Sequence, residues 1–286
     1  RILFFICIIM KSKTIRFLSF LFPCLLTCSI GHAYEQDNWY LANQWEGLST
    51  SQQGPAQVFY QEDSLSGNGR IYIADSGANK VQVFETNGSK IFEIPNLSRV
   101  KGVTVNENGT IFCLFSSGFK SFDENGTFLE TLGTSGSGNS QFTIGAQMYS
   151  WDPQGALAIH PITKNIYALD AGNDRVQVFD QNGSFLFKFG VSGTAPGQLN
   201  DPLDMAFLPD NRLIITDDSS MSYYDENGTF LERNENGQKS IVVSPEGTIL
   251  LFTPYYENGQ KLITTNNQTI SSSSSLPGGN RGVFTP

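Results

Sequence analysis

Beyond residue 33, short runs of β-branched and aromatic residues alternate with clusters of Gly, Asn, Asp and Ser, and no segment carries helical periodicity. The runs recur in phrases. Residues 71–94, IYIADSGANKVQVFETNGSKIFEI, and residues 166–189, IYALDAGNDRVQVFDQNGSFLFKF, share 12 identities in 24 at a shift of 95. Worn copies of the same layout fall at 111–133, 213–232 and 249–264. The Asn-Gly pairs that close the phrases stand at Asn87, Asn125, Asn182, Asn227 and Asn258, in steps of 38, 57, 45 and 31 residues, with a mean near 43.

A period of that size built from short strands suits one four-stranded propeller blade per copy. Each copy predicts an inner strand such as 102–105, a second such as 71–75, a third such as 81–84, an Asn-Gly turn and an outer strand. Two-residue Asn-Gly links predict type I′ hairpins, because both residue types tolerate positive φ. Across one such turn, Phe122 and Phe128 are expected to face each other. With 286 residues, 22 Phe, 28 Gly and a 39% hydrophobic fraction, the chain suits one all-β domain whose core is shared between neighbouring blades.

The first 33 residues differ. From Met10 a basic start (Lys11, Lys13, Arg16) leads into an apolar segment, 17–30, and a small-residue site ending at Ala33. This predicts a secretory signal peptide, with residues 1–9 lying upstream of the true start, and hence an extracytoplasmic (periplasmic or secreted) protein. Two alternatives stay open. One is an uncleaved anchor, against which Pro23 interrupts the apolar run; the other is a lipoprotein at Cys28, against which Thr27 is a poor fit. Without residues 1–33, 14 of the 18 basic side chains remain against all 27 acidic ones, a net charge of −13. Such a surface repels phosphates and anionic lipid heads, so no nucleic-acid partner is expected, and membrane contact only through the leader or anchor. Cys113 alone remains past the leader and is read as a small apolar core residue.

Residues 167–202 resemble an NHL repeat: Asp170, Asn173, Arg175, Gln177 and Phe179 match its pattern, followed by Gly197, Gln198 and Pro202, with Leu199 in place of Phe. Asp75, Lys80, Gln82 and Phe84 match in the first copy, whereas the second, fourth and fifth copies lose the Asn/Arg/Gln positions. The resemblance covers 38–286 and implies an all-β, six-bladed β-propeller of four-stranded antiparallel blades. In that family's manner of closure, an N-terminal strand near 38–47 joins the last blade, which is incomplete in this chain.

Catalytic equipment is sparse. His160 is the only histidine after the leader, at the end of an inner strand, and is read as structural. No Gly-x-Ser-x-Gly element supports a serine hydrolase. Zinc-dependent propellers such as amidating lyases gather several histidines, which this chain cannot supply. The DENGT segments at 123–127 and 225–229 lack the later ligands of a calcium loop and are read as hairpin turns. Asn-Gly-Ser/Thr at Asn87, Asn108, Asn125, Asn182 and Asn227 matches glycosylation acceptors that turn chemistry already explains. No catalytic residue is therefore assigned.

Asp75, Asp170 and Asp217 end second strands, on the face that carries the inter-blade connectors; they are either caps of the following loops or a ring of acids that binds a ligand. The third blade carries about 8 extra residues that include Met148, Tyr149 and Trp151, either a recognition loop or inter-blade core. Two functions remain. The favoured one is an exported, non-catalytic scaffold that needs no cofactor and binds a protein, peptide or glycan through the face carrying Asp75, Asp170, Asp217, Tyr149 and Trp151. The alternative, from the resemblance to gluconolactonase-type propellers, is a calcium-dependent hydrolase with Asp204 and Asp170 as metal ligands. Closure of the ring requires roughly 20 to 40 further residues past Pro286, by the family's blade length. Reading the gene beyond that codon checks this, and an immediate stop would refute it.

Overall fold

In a computed structural model, the described residues are 69–144 and 155–234 apart from 86–87 and 218–219, the strand Pro55–Glu62, four strands between 240 and 272, and three strands nearer the N-terminus. Five four-stranded antiparallel meanders follow one another. The first contains Pro55–Glu62, Gly69–Asp75, Lys80–Glu85 and Lys90–Ile94. The second contains Gly102–Val105, Ile111–Phe115, Gly118–Phe122 and Phe128–Ser135, with Gln141–Phe142 added in parallel. The third is Leu157–Ile159, Ile166–Asp170, Arg175–Phe179 and Phe185–Phe189, and the fourth Asp204–Phe207, Leu213–Thr216, Met221–Tyr224 and Phe230–Asn234. The fifth is Ser240–Val243, Ile249–Phe252, Lys261–Ile263 and Thr269–Ser272. Strands Phe5–Lys11, Thr14–Phe20 and Tyr40–Leu41 form a separate three-stranded sheet in and after the segment expected as a leader. Among the described residues, no helix is long and apolar enough to cross a membrane.

The inner strands of successive sheets touch in chain order, and the cores lie between the sheets. Alternating residues of one strand serve two cores, because successive side chains point to opposite faces. In Ile111–Phe115, the odd positions Ile111, Cys113 and Phe115 pack against Tyr72, Val83 and Ile94 of the first sheet. The even positions Phe112 and Leu114 pack against Ile166, Ala168 and Phe179 of the third. Tyr167 and Leu169 then meet Leu213 and Ile215 of the fourth sheet, whose Ile214 and Tyr223 meet Ile241 and Ile249 of the fifth. Burial on both faces explains why the second strands read as unbroken apolar runs rather than alternating ones. Full burial of each such side chain is worth about 1.5–3 kcal/mol.

The Asn-Gly turns differ from the type I′ expectation. Gly126, Gly183 and Gly228 have φ of 84°, 87° and 80°, while Asn125, Asn182 and Asn227 are not among the positive-φ residues. In the second sheet the amide of Gly126 donates to the Asp123 carbonyl and that of Asp123 to the Thr127 carbonyl, with a register shift beside Phe122. The third and fourth sheets repeat the pattern at Asp180 and Asp225. These are type I turns closed by a glycine bulge. The aspartate selects them: its Oδ1 accepts from the amides two and four residues on, as in Asn125 N (2.9 Å) and Thr127 N (2.7 Å) for Asp123. The expected ring pair forms all the same, with Phe122 and Phe128 5.9 Å apart at 72°, and it recurs as Phe179–Phe185 and Tyr224–Phe230.

Each of these turns is also tied to the preceding sheet through the carbonyl after its aspartate. Arg70 Nη1 donates to Glu124 O (3.0 Å), Asn106 Nδ2 to Gln181 O (2.9 Å) and the Tyr167 hydroxyl to Glu226 O (2.6 Å). The donors differ while the acceptor position is constant. Gly228 has a second duty here, since a Cβ on it would overlap the Phe189 ring of the third sheet. Gly228→Ala is therefore expected to lose about 1–3 kcal/mol, combining positive-φ strain with overpacking; urea denaturation measures it, with exposed Thr229→Ala as the control.

Candidate functional site

Two long connectors lie on the face that also carries the loops between second and third strands. Residues 136–156 join the second sheet to the third, with 136–144 and 155–156 described, and 190–203 join the third to the fourth; the join 95–101 is short. Both long connectors are rich in Ser, Gly and Thr, and no Asp, Glu, Lys, Arg or His occurs in 131–151 or 189–200, although Asp152 and Asp201 follow near their ends. Phe142, Ile144 and Leu199 anchor them in the inter-sheet cores, and the polar stretches between need a further source of order.

Buried polar side chains supply it. Asp170, Arg175 and Gln177 are 0%, 7% and 0% exposed. Asp170 Oδ1 accepts from Thr143 N (2.8 Å) and Asn173 Nδ2 (3.0 Å); its Oδ2 accepts from Arg175 Nε (2.7 Å), Gln177 Nε2 (3.1 Å) and Asn173 Nδ2 (3.0 Å). Arg175 then turns its remaining donors on the connector, reaching Ser137 O (2.7 Å), Gly138 O (2.7 Å) and Gln141 O (2.8 Å). Gln177 accepts from Ser140 N and donates to Gln141 O, and Asn173 reaches Gly136 O. Burial raises the Asp170 carboxyl pKa, opposed by its hydrogen bonds from Thr143, Asn173 and Arg175.

The fourth sheet reaches the same result by another route. Ser220 and Ser222 occupy the places of Arg175 and Gln177, and neither is long enough to reach the connector. Arg233, from the outer strand and paired across to Ser222, supplies the guanidinium instead. Its Nη1 donates to Thr194 O (2.8 Å), its Nη2 to Gln198 O (3.0 Å) and its Nε to Ser222 Oγ (2.9 Å). Thr194 and Gln198 are the counterparts of Ser137 and Gln141. The glutamines also act alike: Gln141 Oε1 accepts from Gly138 N (2.9 Å) and Gln198 Oε1 from Ala195 N (3.0 Å). The first stretches of the two connectors, 136–142 and 193–199, are thus held in one conformation by arginines from different strands. The second sheet follows a short join and carries Gly118 and Lys120 at the same places, with Lys120 lying over the Phe115 and Phe128 rings.

The other residues singled out from the sequence are placed as follows. Asp75 is buried, accepting from Ala78 N (3.0 Å) and Gln82 Nε2 (2.9 Å). Asp217 is buried and accepts from Ser220 N and Oγ (2.6 and 2.7 Å), with Arg233 3.9 Å away. Tyr149 and Trp151 lie outside the described residues. Asp204 is half-buried near the axis and accepts from Met205 N (2.8 Å) and, in the fifth sheet, Ile241 N (3.0 Å). Among the described residues no three His, Cys, Asp or Glu side chains gather as a metal site. His160 is buried as a turn cap, its Nδ1 accepting from Ile162 N and Thr163 N at 3.1 Å. Cys113 is fully buried, and that burial pushes its thiol pKa up.

Gln57 was not singled out. From the first inner strand, its Oε1 accepts from Val103 N (3.0 Å) and Leu157 N (3.3 Å), and its Nε2 donates to Leu157 O (2.8 Å), tying three inner strands together. Gly102 makes room for this, since a Cβ there would stand 2.9 Å from Leu157 Cγ.

Successive four-stranded meanders with touching inner strands and inter-sheet cores define a β-propeller. Solved structures agree on the fold. The streptogramin B lyase structure matches with a TM-score of 0.55 at 15% identity, over 79% of this chain and 70% of that one. A protein of unknown function from Bacteroides caccae matches at 0.54 and 13%, over 80% and 83%. BBS1N, solved in complex with ARL6DN, matches at 0.52 and 12%, over 78% and 66%. No family model matches the chain. Partial homology to NHL-repeat proteins supports an NHL-repeat propeller: 71 residues, 24% of this chain, are 34% identical to the E3 ubiquitin-protein ligase NHLRC1 of Rattus norvegicus and of Mus musculus. That match spans 18% of those proteins.

Arg175→Ala strands the buried Asp170 and is expected to cost about 3–5 kcal/mol. Arg233→Ala frees connector carbonyls nearer the surface and is expected to cost about 1–2 kcal/mol. Chemical denaturation of each variant checks the order, and equal losses would contradict it.

Proposed function

We propose that this protein is an exported, non-catalytic binding scaffold: a six-bladed NHL-type ring that binds a protein, peptide or glycan through the face carrying its two long connectors. One observation carries the reading. The first stretches of two adjacent long connectors, 136–142 and 193–199, carry no charged side chain and are held in the same conformation by buried or half-buried arginines. Loops ordered in advance lose less entropy on binding, so a rigid platform of this kind is a recognition device. The residues the sequence offered for metal chemistry, Asp170 and Asp204, hold backbone amides of the fold. Propellers of similar fold include both a lyase and BBS1N in complex with a protein, so the site rather than the architecture carries the inference. The signal-peptide pattern is the support for export to the periplasm or beyond.

Asn139 and Pro196 are exposed counterparts at the connector tips. The double variant Asn139→Arg, Pro196→Arg is expected to lose at least tenfold in affinity, at unchanged unfolding temperature, for whichever members of a displayed peptide library or a panel of neutral polysaccharides the full chain retains. Glu107→Arg, on the opposite face, is expected to keep binding. Stoichiometric bound calcium with a hydrolytic activity, both removed by Asp204→Ala, would overturn the proposal in favour of the lactonase alternative.

A further inference from the structure

His160 joins the third sheet to the fourth on the face of the hairpin turns. Its ring is fully buried between Tyr167 (centroids 6.3 Å apart) and Phe207 of the fourth sheet (4.9 Å, 68°). Nδ1 accepts from the amides of Ile162 and Thr163, which places the single proton of the neutral imidazole on Nε2. Nε2 stands 3.4 Å from Glu226 Oε2, on the outer turn of the fourth sheet, the turn whose Glu226 carbonyl accepts from the Tyr167 hydroxyl. One short contact region thus holds two neighbouring sheets together.

We propose that His160 is an acid-sensitive joint: a second proton, which can only enter at Nδ1, breaks the cap of the 160–165 turn and loosens the contact between the third and fourth sheets. Protonated Nδ1 can no longer accept, and two backbone amides are left facing an N–H. The charged groups around the ring come from three elements. Glu226 and Asp225 belong to the fourth sheet's outer turn, Lys164 lies in the histidine's own hairpin, and Glu107 of the second sheet pairs with Lys164 at 2.8 Å. Glu226 favours the imidazolium, but its side chain is 53% exposed and its charge is screened by solvent. Desolvation and Lys164 oppose protonation, and desolvation is the dominant effect, so the pKa of His160 is lowered. The sign follows. A histidine protonated more readily in the unfolded chain leaves stability intact above about pH 6.5 and removes it progressively as pH falls below that value.

Asn106, at the corresponding turn of the second sheet, shows which residue caps without titrating: its Oδ1 accepts from Asn108 N (3.1 Å) and Thr110 N (2.9 Å). The test compares full-length wild type with His160→Asn by unfolding equilibria and amide exchange between pH 7.5 and 5. The wild-type folded-to-unfolded ratio is expected to fall relative to the variant, by up to tenfold per pH unit below about pH 6.5. The amides of Ile162 and Thr163 are expected to lose protection first. Parallel pH profiles for the two proteins would overturn the proposal. An NMR titration of the wild-type imidazole decides independently should the variant not fold: a midpoint below about 6.5 supports the joint, and one at or above it refutes it.

Discussion

Everything in this molecule depends on sheets that are apolar on both faces. A four-stranded meander of this size cannot bury two such faces by itself, so each sheet must stand between two others. The middle strands show the consequence, with Phe112 and Leu114 in one core and Ile111, Cys113 and Phe115 in the next. Stacking sheets in this way around an axis is the arrangement that leaves only short outer edges, and those are partly covered by the chain itself. Gln141–Phe142 lies parallel on the second sheet's outer strand, and Ser192 bridges Leu199 in the connector after the third.

Polar chemistry is added where apolar packing cannot reach. On the turn face, one carbonyl in the outer hairpin of each of the second, third and fourth sheets is held by Arg70, Asn106 or Tyr167 of the preceding sheet. On the connector face, Asp170, Arg175 and Gln177 hold one long connector and Arg233 the next. A buried ion pair of the Asp170–Arg175 kind adds little net stability, because desolvation offsets most of the attraction. What it provides is geometry. This accounts for the uneven wear of the repeats, since the third and fourth sheets bear guanidinium clamps after long connectors, and the second follows a join of seven residues and bears Gly118 and Lys120 instead.

The two faces therefore differ in kind. The turn face is set by tight hairpins with acidic caps such as Asp123, Asp180 and Asp225, their oxygens engaged by backbone amides. On the connector face, 136–142 and 193–199 carry no charged side chain, are anchored through their backbone carbonyls and leave tips such as Asn139 and Pro196 exposed, which is why the proposed recognition is placed there.

Strand and turn order was legible from local pattern. Apolar runs, Asn-Gly pairs and a period near 43 residues sufficed for the meanders, and even the Phe122–Phe128 contact followed from hairpin spacing. Turn type was not, because the aspartate three residues before the glycine captures two amides and draws the loop from type I′ to type I with a bulge. The candidate site was half legible: Asp170, Arg175 and Gln177 stood out as a motif, while their partners did not. Arg233 carries no local signal at all; only the register that sets it opposite Ser222 reveals that it does from the outer strand the work that Arg175 does from the third strand of the preceding sheet. Short-range pattern specifies what a residue prefers next to itself in the chain, whereas contacts between sheets depend on which backbone groups are brought together from 34 or more residues apart, and that is decided only when the sheets pack.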